Sequence, residues 1–276
     1  MPKITIDGKE IEAKDGATIL ETARANDIPI PTLCYYDRLS KAGTCRMCLV
    51  EIEKVFKLQT ACTTEIREGM VIHTNNEKVK KARRGVLEFL LINHPLDCPV
   101  CDQAGDCELQ DLVYEYGAPE SRYKEEKLTY EKIGLGPNII RNMNRCLNCR
   151  RCVRLTWEEL NTYDFGATER GSHTVIGPYI DTVIEGEFIG NVIDVCPVGA
   201  LTDKHARFKS RVWDLDEIPA HRKKGCPHGC KVTLGVKAGN IVKVSSRKNG
   251  KGVIEELICD KCRFEHYEIE DWVLEV

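Results

Sequence analysis

The run Cys146-Leu147-Asn148-Cys149-Arg150-Arg151-Cys152, answered far downstream by Cys196-Pro197, constrains this chain more than any other feature. Three cysteines at C-x₂-C-x₂-C with a remote Cys-Pro form the ligand pattern of a cubane [4Fe–4S] cluster. In two-cluster ferredoxins the Cys-Pro cysteine serves the neighbouring cluster. Only one such triplet exists here, so Cys196 is assigned to the same site as Cys146, Cys149 and Cys152. Structural zinc also takes four thiolates, but its sites pair two C-x₂-C knuckles, and a run of three followed by Cys-Pro is not that.

The chain of 276 residues is long enough for two to four small modules. Its 15 cysteines are grouped, largely as C-x₂-C, and no apolar stretch follows Met1-Pro2-Lys3. Without an export signal, such grouping points to metal rather than disulfides and to a reducing, cytoplasmic setting. No run of about 18 apolar residues predicts a membrane span. Forty basic residues against 43 acidic ones leave no global footprint for nucleic acid.

Taken in order, Lys3 to Ala13 predicts two strands around an Asp7-Gly8 turn, and Ala17 to Asn26 a short amphipathic helix. Cys34, Cys45, Cys48 and Cys62 follow, with ten, two and thirteen residues between successive members. A hairpin, a helix and a cysteine-bearing loop before a strand resemble the β-grasp ferredoxin, which holds a [2Fe–2S] cluster. Plant-type ferredoxins have four residues in the first gap; ten matches the ferredoxin domain of respiratory complex I instead.

Glu77 to Leu91 predicts the clearest helix, with Lys78, Lys80, Lys81, Arg83 and Arg84 on a solvated face. It delivers His94, four positions before the triplet Cys98, Cys101 and Cys107, which lacks a fourth ligand. Imidazole can bind cluster iron, as Rieske centres show, and spacing leaves His94 open between a ligand and an ordinary polar residue. Residues 117–140 are polar and predict a surface linker, and residues 163–195 short strands and turns. Arg145, Arg150, Arg151 and Arg154 either screen the charge of the cluster beside them or form a solvent-facing patch. After Trp213 a small module places Cys226 and Cys230 before a predicted hairpin and Cys259 and Cys262 after it. That set suits a [4Fe–4S] cluster or a zinc ion.

These ligand groups, in this order, resemble the large iron–sulfur subunit of NADH:quinone oxidoreductase, respiratory complex I. Asn93 to Asp102, Glu108-Leu109-Gln110-Asp111 and Gly190 to Thr202 carry the resemblance beyond the cysteines. It implies that His94 is a ligand and that the fold is α+β, a β-grasp [2Fe–2S] ferredoxin domain followed by small iron–sulfur cluster-binding modules. The expected boundaries are 1–76 for the ferredoxin domain, 77–118 for a helical His-Cys₃ [4Fe–4S] module and 119–212 for a ferredoxin-like [4Fe–4S] module. A small Cys₄ module over 213–276 resembles the N-terminal [4Fe–4S] module of molybdopterin oxidoreductases. The implied partners are a flavin- and NADH-binding subunit, a small [2Fe–2S] subunit and the quinone-side iron–sulfur subunits. The implied location is peripheral, on the cytoplasmic face of the inner membrane.

Two departures matter. Bacterial members usually continue into a molybdopterin-oxidoreductase-like domain, whereas this sequence stops at Val276. Their last motif runs C-x₂-C-x₃-C, and its first position here is Lys223, with Cys262 as the replacement. The first departure raises a second reading, the diaphorase subunit of an NAD-linked nickel–iron hydrogenase or formate dehydrogenase. A zinc-stapled scaffold is the third, non-redox reading. No Gly-rich dinucleotide fingerprint follows a strand, and no catalytic constellation stands out, so an electron relay without a substrate site of its own is expected.

Overall fold

The computed structural model describes residues 1–275 apart from 132, 181–183, 185, 266 and 267. They divide into two compact units, one of 1–35, 40–94 and 109–127, the other of 36–39, 95–108 and the chain from 128 onward.

In the first unit, β1 (Lys3–Ile6) and β2 (Lys9–Glu12) pair antiparallel around Asp7 and Gly8. Both turn residues have positive φ, 46° and 84°, the backbone an Asp-Gly hairpin demands. Thr18 caps α1 (Ile19–Ala25) by a reciprocal capping box with Glu21. Then come β3 (Leu49–Ile52), β4 (Gln59–Thr60) and β5 (Val71–His73). The sheet order is β2-β1-β5-β3-β4, with β5 parallel to β1. Ile4, Ile6, Ile19, Leu20, Val50 and Ile72 meet in its core, so the alternating strands and the helix's apolar face bury one another as in a β-grasp domain.

Helix α2 (Glu77–Leu91) has the predicted bounds, capped by Asn76, whose side chain accepts from Val79 N–H. Val79 and Leu87 are buried, while Lys78, Lys81 and Arg84 face solvent. Arg83 is a correction to the solvated face. It is 1% exposed and donates to the Leu49 carbonyl and the Tyr116 hydroxyl, both at 3.1 Å. Helix α3 (Glu108–Tyr116) supplies that tyrosine. The start of the expected linker wraps back on α2: Lys127 donates to the carbonyls of Leu91 and Ile92 at 2.8 Å, satisfying groups that a helix end leaves open.

In the second unit, β6 (Ile133–Gly134) and β7 (Ile139–Arg141) show that the end of that stretch is not linker. Leu135 and Ile139 are each 1% exposed and enter the core, which a polar average over the stretch concealed. Helix α4 (Arg151–Glu158), the hairpin of β8 (Phe165–Thr168) and β9 (Val175–Pro178), the short α5 (Asn191–Asp194) and β10 (Leu201–Asp203) surround that core. This agrees with the expected short strands and turns, of which 181–183 and 185 lie outside the described residues.

The end of the chain forms β11 (Asp216–Arg222), β12 (Lys231–Lys237), β13 (Asn240–Ser246), α6 (Asp260–Phe264) and β14 (Trp272–Leu274), with sheet order β13-β12-β11-β14. The hairpin β12–β13 follows the expected pattern. Strand β11 carries Pro219, a residue that argues against a central strand. It is tolerated because β14 ends beside it, and the Pro219 carbonyl still accepts from Glu275 N–H at 2.8 Å.

Candidate metal centres

None of the fifteen cysteines forms a disulfide, and all are at least half-buried. The fold gathers the first group on one side of the β-grasp sheet. Cys45 and Cys48 lie in the loop entering β3, Cys62 follows β4, and all four members are at most 6% exposed. The sulfurs of Cys48 and Cys62 are 3.3 Å apart, and Cys34 is in hydrogen-bond reach of Cys45 and Cys62. Those bonds pull the Cys34 thiol far below its usual range and hold Cys48 at about 7, while pushing Cys45 and Cys62 up. The four buried sulfurs thus form one connected group that could hold a thiolate-bound iron–sulfur cluster.

His94 is half-buried and ends one segment of the first unit. In the second unit, Cys98 opens a 3₁₀ turn, and Cys101 N–H closes it on the Cys98 carbonyl at 3.1 Å. Burial raises the Cys101 thiol above its ordinary value. Cys107 lies just ahead of α3.

Cys146, Cys149, Cys152 and Cys196 line one small cavity, walled by Met143, Ile176, Leu201 and other apolar side chains. Asn148 and Arg150 take left-handed φ of 53° and 58°, which lets the triplet curl around it before α4 begins. Burial raises all four thiols, Cys146 and Cys149 to about 12. Against that, backbone contacts with Val198, Leu201 and Ala200 pull the Cys196 thiol down, and Asn148 N–H reaches Cys146 Sγ at 3.4 Å. Donors aimed at sulfur favour thiolate. A buried site that disfavours bare thiolates yet supplies N–H donors to them fits a bound cationic cluster core.

Three of these four arginines are buried and do not face solvent, and the charge of Arg151 still favours the thiolates of Cys149 and Cys196, as the screening reading expected. Arg145 holds Asp97 with Nη2 at 2.6 Å, and Arg151 grips both Glu108 oxygens at 2.5 and 2.8 Å. Arg154 donates to the carbonyls of Arg150 and Cys149. Only Arg150 is exposed. The first two arginines therefore clamp segment 95–108 onto the triplet loop. The basic group at the cavity that sequence reasoning missed is Arg141. It lines the cavity and donates to the Ile176 carbonyl at 2.6 Å, and nothing in its local pattern marks it.

Cys226, Cys230, Cys259 and Cys262 converge beneath the four-stranded sheet, where Val232, Leu234 and Trp272 pack around them. Their ligand sulfurs all lie within 4.8 Å of one another. The hydrogen bond to Cys262 holds Cys230 at about 5, and burial pushes Cys259 to about 11.

Three regions of the chain match known families. Residues 2–77 match a family described as a 2Fe-2S iron-sulfur cluster binding domain. Residues 83–122 match the NADH-ubiquinone oxidoreductase-G iron-sulfur binding region, and 136–202 the ferredoxin-like domain of NADH-quinone oxidoreductase subunit 3. The chain is 46% identical over 264 residues to the NADH-ubiquinone oxidoreductase 75 kDa subunit of Reclinomonas americana, covering 96% of this chain and 38% of that protein. It is 43% identical to the corresponding NADH-quinone oxidoreductase polypeptide of Rickettsia prowazekii, covering 96% and 39%. A chain in a crystal structure of an NAD+-reducing [NiFe]-hydrogenase superposes with a TM-score of 0.69 at 28% identity, covering 76% of this chain and 91% of that one. The chain thus spans well under half the length of the curated relatives, and its matched regions are of iron–sulfur type. By these matches the chain is similar, over nearly its whole length, to part of the large, 75 kDa-type proteins of NADH-quinone and NADH-ubiquinone oxidoreductases.

Proposed function

We propose that this chain is an electron-transfer subunit, carrying electrons from an NADH- and flavin-binding partner toward the quinone-side iron–sulfur subunits of a complex I-type oxidoreductase. The observation that supports the proposal is that the segment carrying Cys101 and Cys107 packs against the loop that follows Cys196. Cys101 Sγ lies directly against Gly199, three residues from Cys196, and Glu108 N–H, next to Cys107, bonds the Pro197 carbonyl at 3.1 Å. Electron transfer in series needs neighbouring centres held at a fixed short separation, and the Arg145–Asp97 and Arg151–Glu108 clamps supply that rigidity.

The proposed ligand sets are Cys34, Cys45, Cys48 and Cys62 for a [2Fe–2S] cluster, and His94, Cys98, Cys101 and Cys107 for a [4Fe–4S] cluster. Cys146, Cys149, Cys152 and Cys196 take a second [4Fe–4S] cluster. When bound, the clusters supply one-electron carriers; the chain sets their potentials through ligand type, burial and N–H donors to sulfur. We propose modules with the boundaries read from the sequence, at 76, 118 and 212, each small enough that metal ligation would add to its folding stability. Among the described residues no helix is long and apolar enough to cross a membrane, so attachment to a membrane complex, on its cytoplasmic face, runs through partner subunits.

The test is anaerobic reduction. With the flavin subunit present, NADH should bleach the cluster absorption; the purified chain alone should neither bind nor oxidise NADH. Stoichiometric NADH binding by the chain alone would overturn the relay. The diaphorase subunit of a hydrogenase is the second reading, favoured by the 91% coverage of the hydrogenase chain. Co-purifying subunits separate the two: a membrane arm supports the first, a nickel–iron subunit the second.

A further inference from the structure

The last four cysteines are packed too closely for the cluster that the family resemblance places there. All four sulfurs lie within 4.8 Å of one another, with Cys226 3.5 Å from Cys230 and 3.9 Å from Cys259. Among the described residues, no other group of three or more histidine, cysteine, aspartate or glutamate side chains brings its ligand atoms so close. Two chemistries require two different sizes of site. Four thiolates on one zinc ion, each about 2.3 Å from the metal, stand about 3.8 Å apart at tetrahedral angles. In a cubane each thiolate binds a different iron corner, so the four sulfurs surround the whole cluster and do not touch. Cys146, Cys149, Cys152 and Cys196 are arranged in the second way, around their cavity.

The chain path explains the difference. Lys223 stands where the family's first loop ligand would be. The fourth sulfur comes instead from Cys262, in α6, three residues after Cys259 at its N-cap. Positions three apart at a helix start face the same way, so this pair closes on the loop pair from one side. Cys230 meets it through its sulfur, which accepts from Cys259 N–H at 3.3 Å, and Gly229 makes the tight turn between Cys226 and Cys230 with φ of 62°. Cys230, Cys259 and Cys262 are each at most 2% exposed and belong to the sheet's apolar core.

We infer that Cys226, Cys230, Cys259 and Cys262 hold a single tetrahedral zinc ion, not a [4Fe–4S] cluster. A closed four-thiolate shell without an open position is the form of structural zinc. The ion pins α6 to the loop between β11 and β12 and carries no electrons, so the relay within this chain ends at the Cys146 centre. The inference does not depend on the relay being correct, because it is read from metal content and not from NADH reduction.

The test uses the whole chain, purified anaerobically after production with both iron and zinc supplied. One zinc per chain is expected, and Cys226→Ser and Cys262→Ser should each lose it with iron content unchanged. Four irons lost in these variants, with no zinc in the parent, would overturn the inference, as would a single iron in place of zinc. Should the variants fail to fold, zinc-edge X-ray absorption of the parent decides. Four sulfurs at about 2.3 Å support the site; zinc that is absent, or bound through nitrogen or oxygen, refutes it.

Discussion

Gly199 presses on the sulfur of Cys101: a Cβ at this position would clash with Cys101 Sγ. The Gly199 carbonyl also accepts from Arg145 Nη1 at 3.4 Å, and the same guanidinium binds Asp97. One residue without a side chain thus lets the loop after Cys196-Pro197 seat against the ligand segment of another centre.

Gly199→Ala should therefore force Cys101 out of place. The expected result is loss of the second centre, about four irons per chain, with the Cys146 centre retained. Iron analysis and electron paramagnetic resonance of the reduced chain read it. Full iron content with unshifted signals would show that the contact imposes no constraint.

Arg263 and Asp194 form a fully buried ion pair at 2.5 Å, with Arg263 also donating to Asn191 Oδ1 and Ser246 Oγ. Burial disfavours the Asp194 carboxylate, but the guanidinium outweighs it and keeps the carboxyl below its ordinary value. Asp194→Asn should cost about 3–5 kcal/mol, because it strands a buried charge. Urea unfolding of the fully loaded chain measures this, and a change within experimental error would mean that Arg263 finds another partner.

If His94 binds iron, replacing it by cysteine should keep the second cluster while lowering its reduction potential, since thiolate adds negative charge to the site. Redox titration of a fully loaded His94→Cys chain provides the check. An unchanged potential removes His94 from the ligand set.

Acid should weaken the first module partly through Glu21. Burial raises its carboxyl, but the hydrogen bonds from Thr18 and the contact with Lys41 prevail, leaving it below its ordinary 4.5. A depressed carboxyl contributes stability that is complete above the unfolded value and is lost as pH falls through the folded one. Glu21→Gln should accordingly flatten the loss of thermal stability on acidification below about pH 5. Thr18→Ala should cost about 1 kcal/mol at neutral pH by removing the cap. Equal acid sensitivity in Glu21→Gln and the parent would exclude this carboxylate as a contributor.

What depends on neighbours along the chain was legible before any fold was known. Asp7-Gly8 specified its hairpin, Glu77 to Leu91 its helix and the bounds of that helix, and the C-x₂-C-x₂-C run its single cavity, because turn geometry, helical period and short ligand spacing are local properties. The partners of charged residues, in contrast, emerge only when the chain has folded. Arg83, Arg145 and Arg151 read as solvated or cluster-screening, yet their partners lie 33 to 48 residues away, and only the burial of whole faces brings them together. The same holds for β11, whose proline is acceptable only because of where β14 ends. It holds most clearly for Cys226, Cys230, Cys259 and Cys262. Their spacing suits zinc and iron–sulfur alike, and the distance between their sulfurs exists only once α6 has docked on the loop.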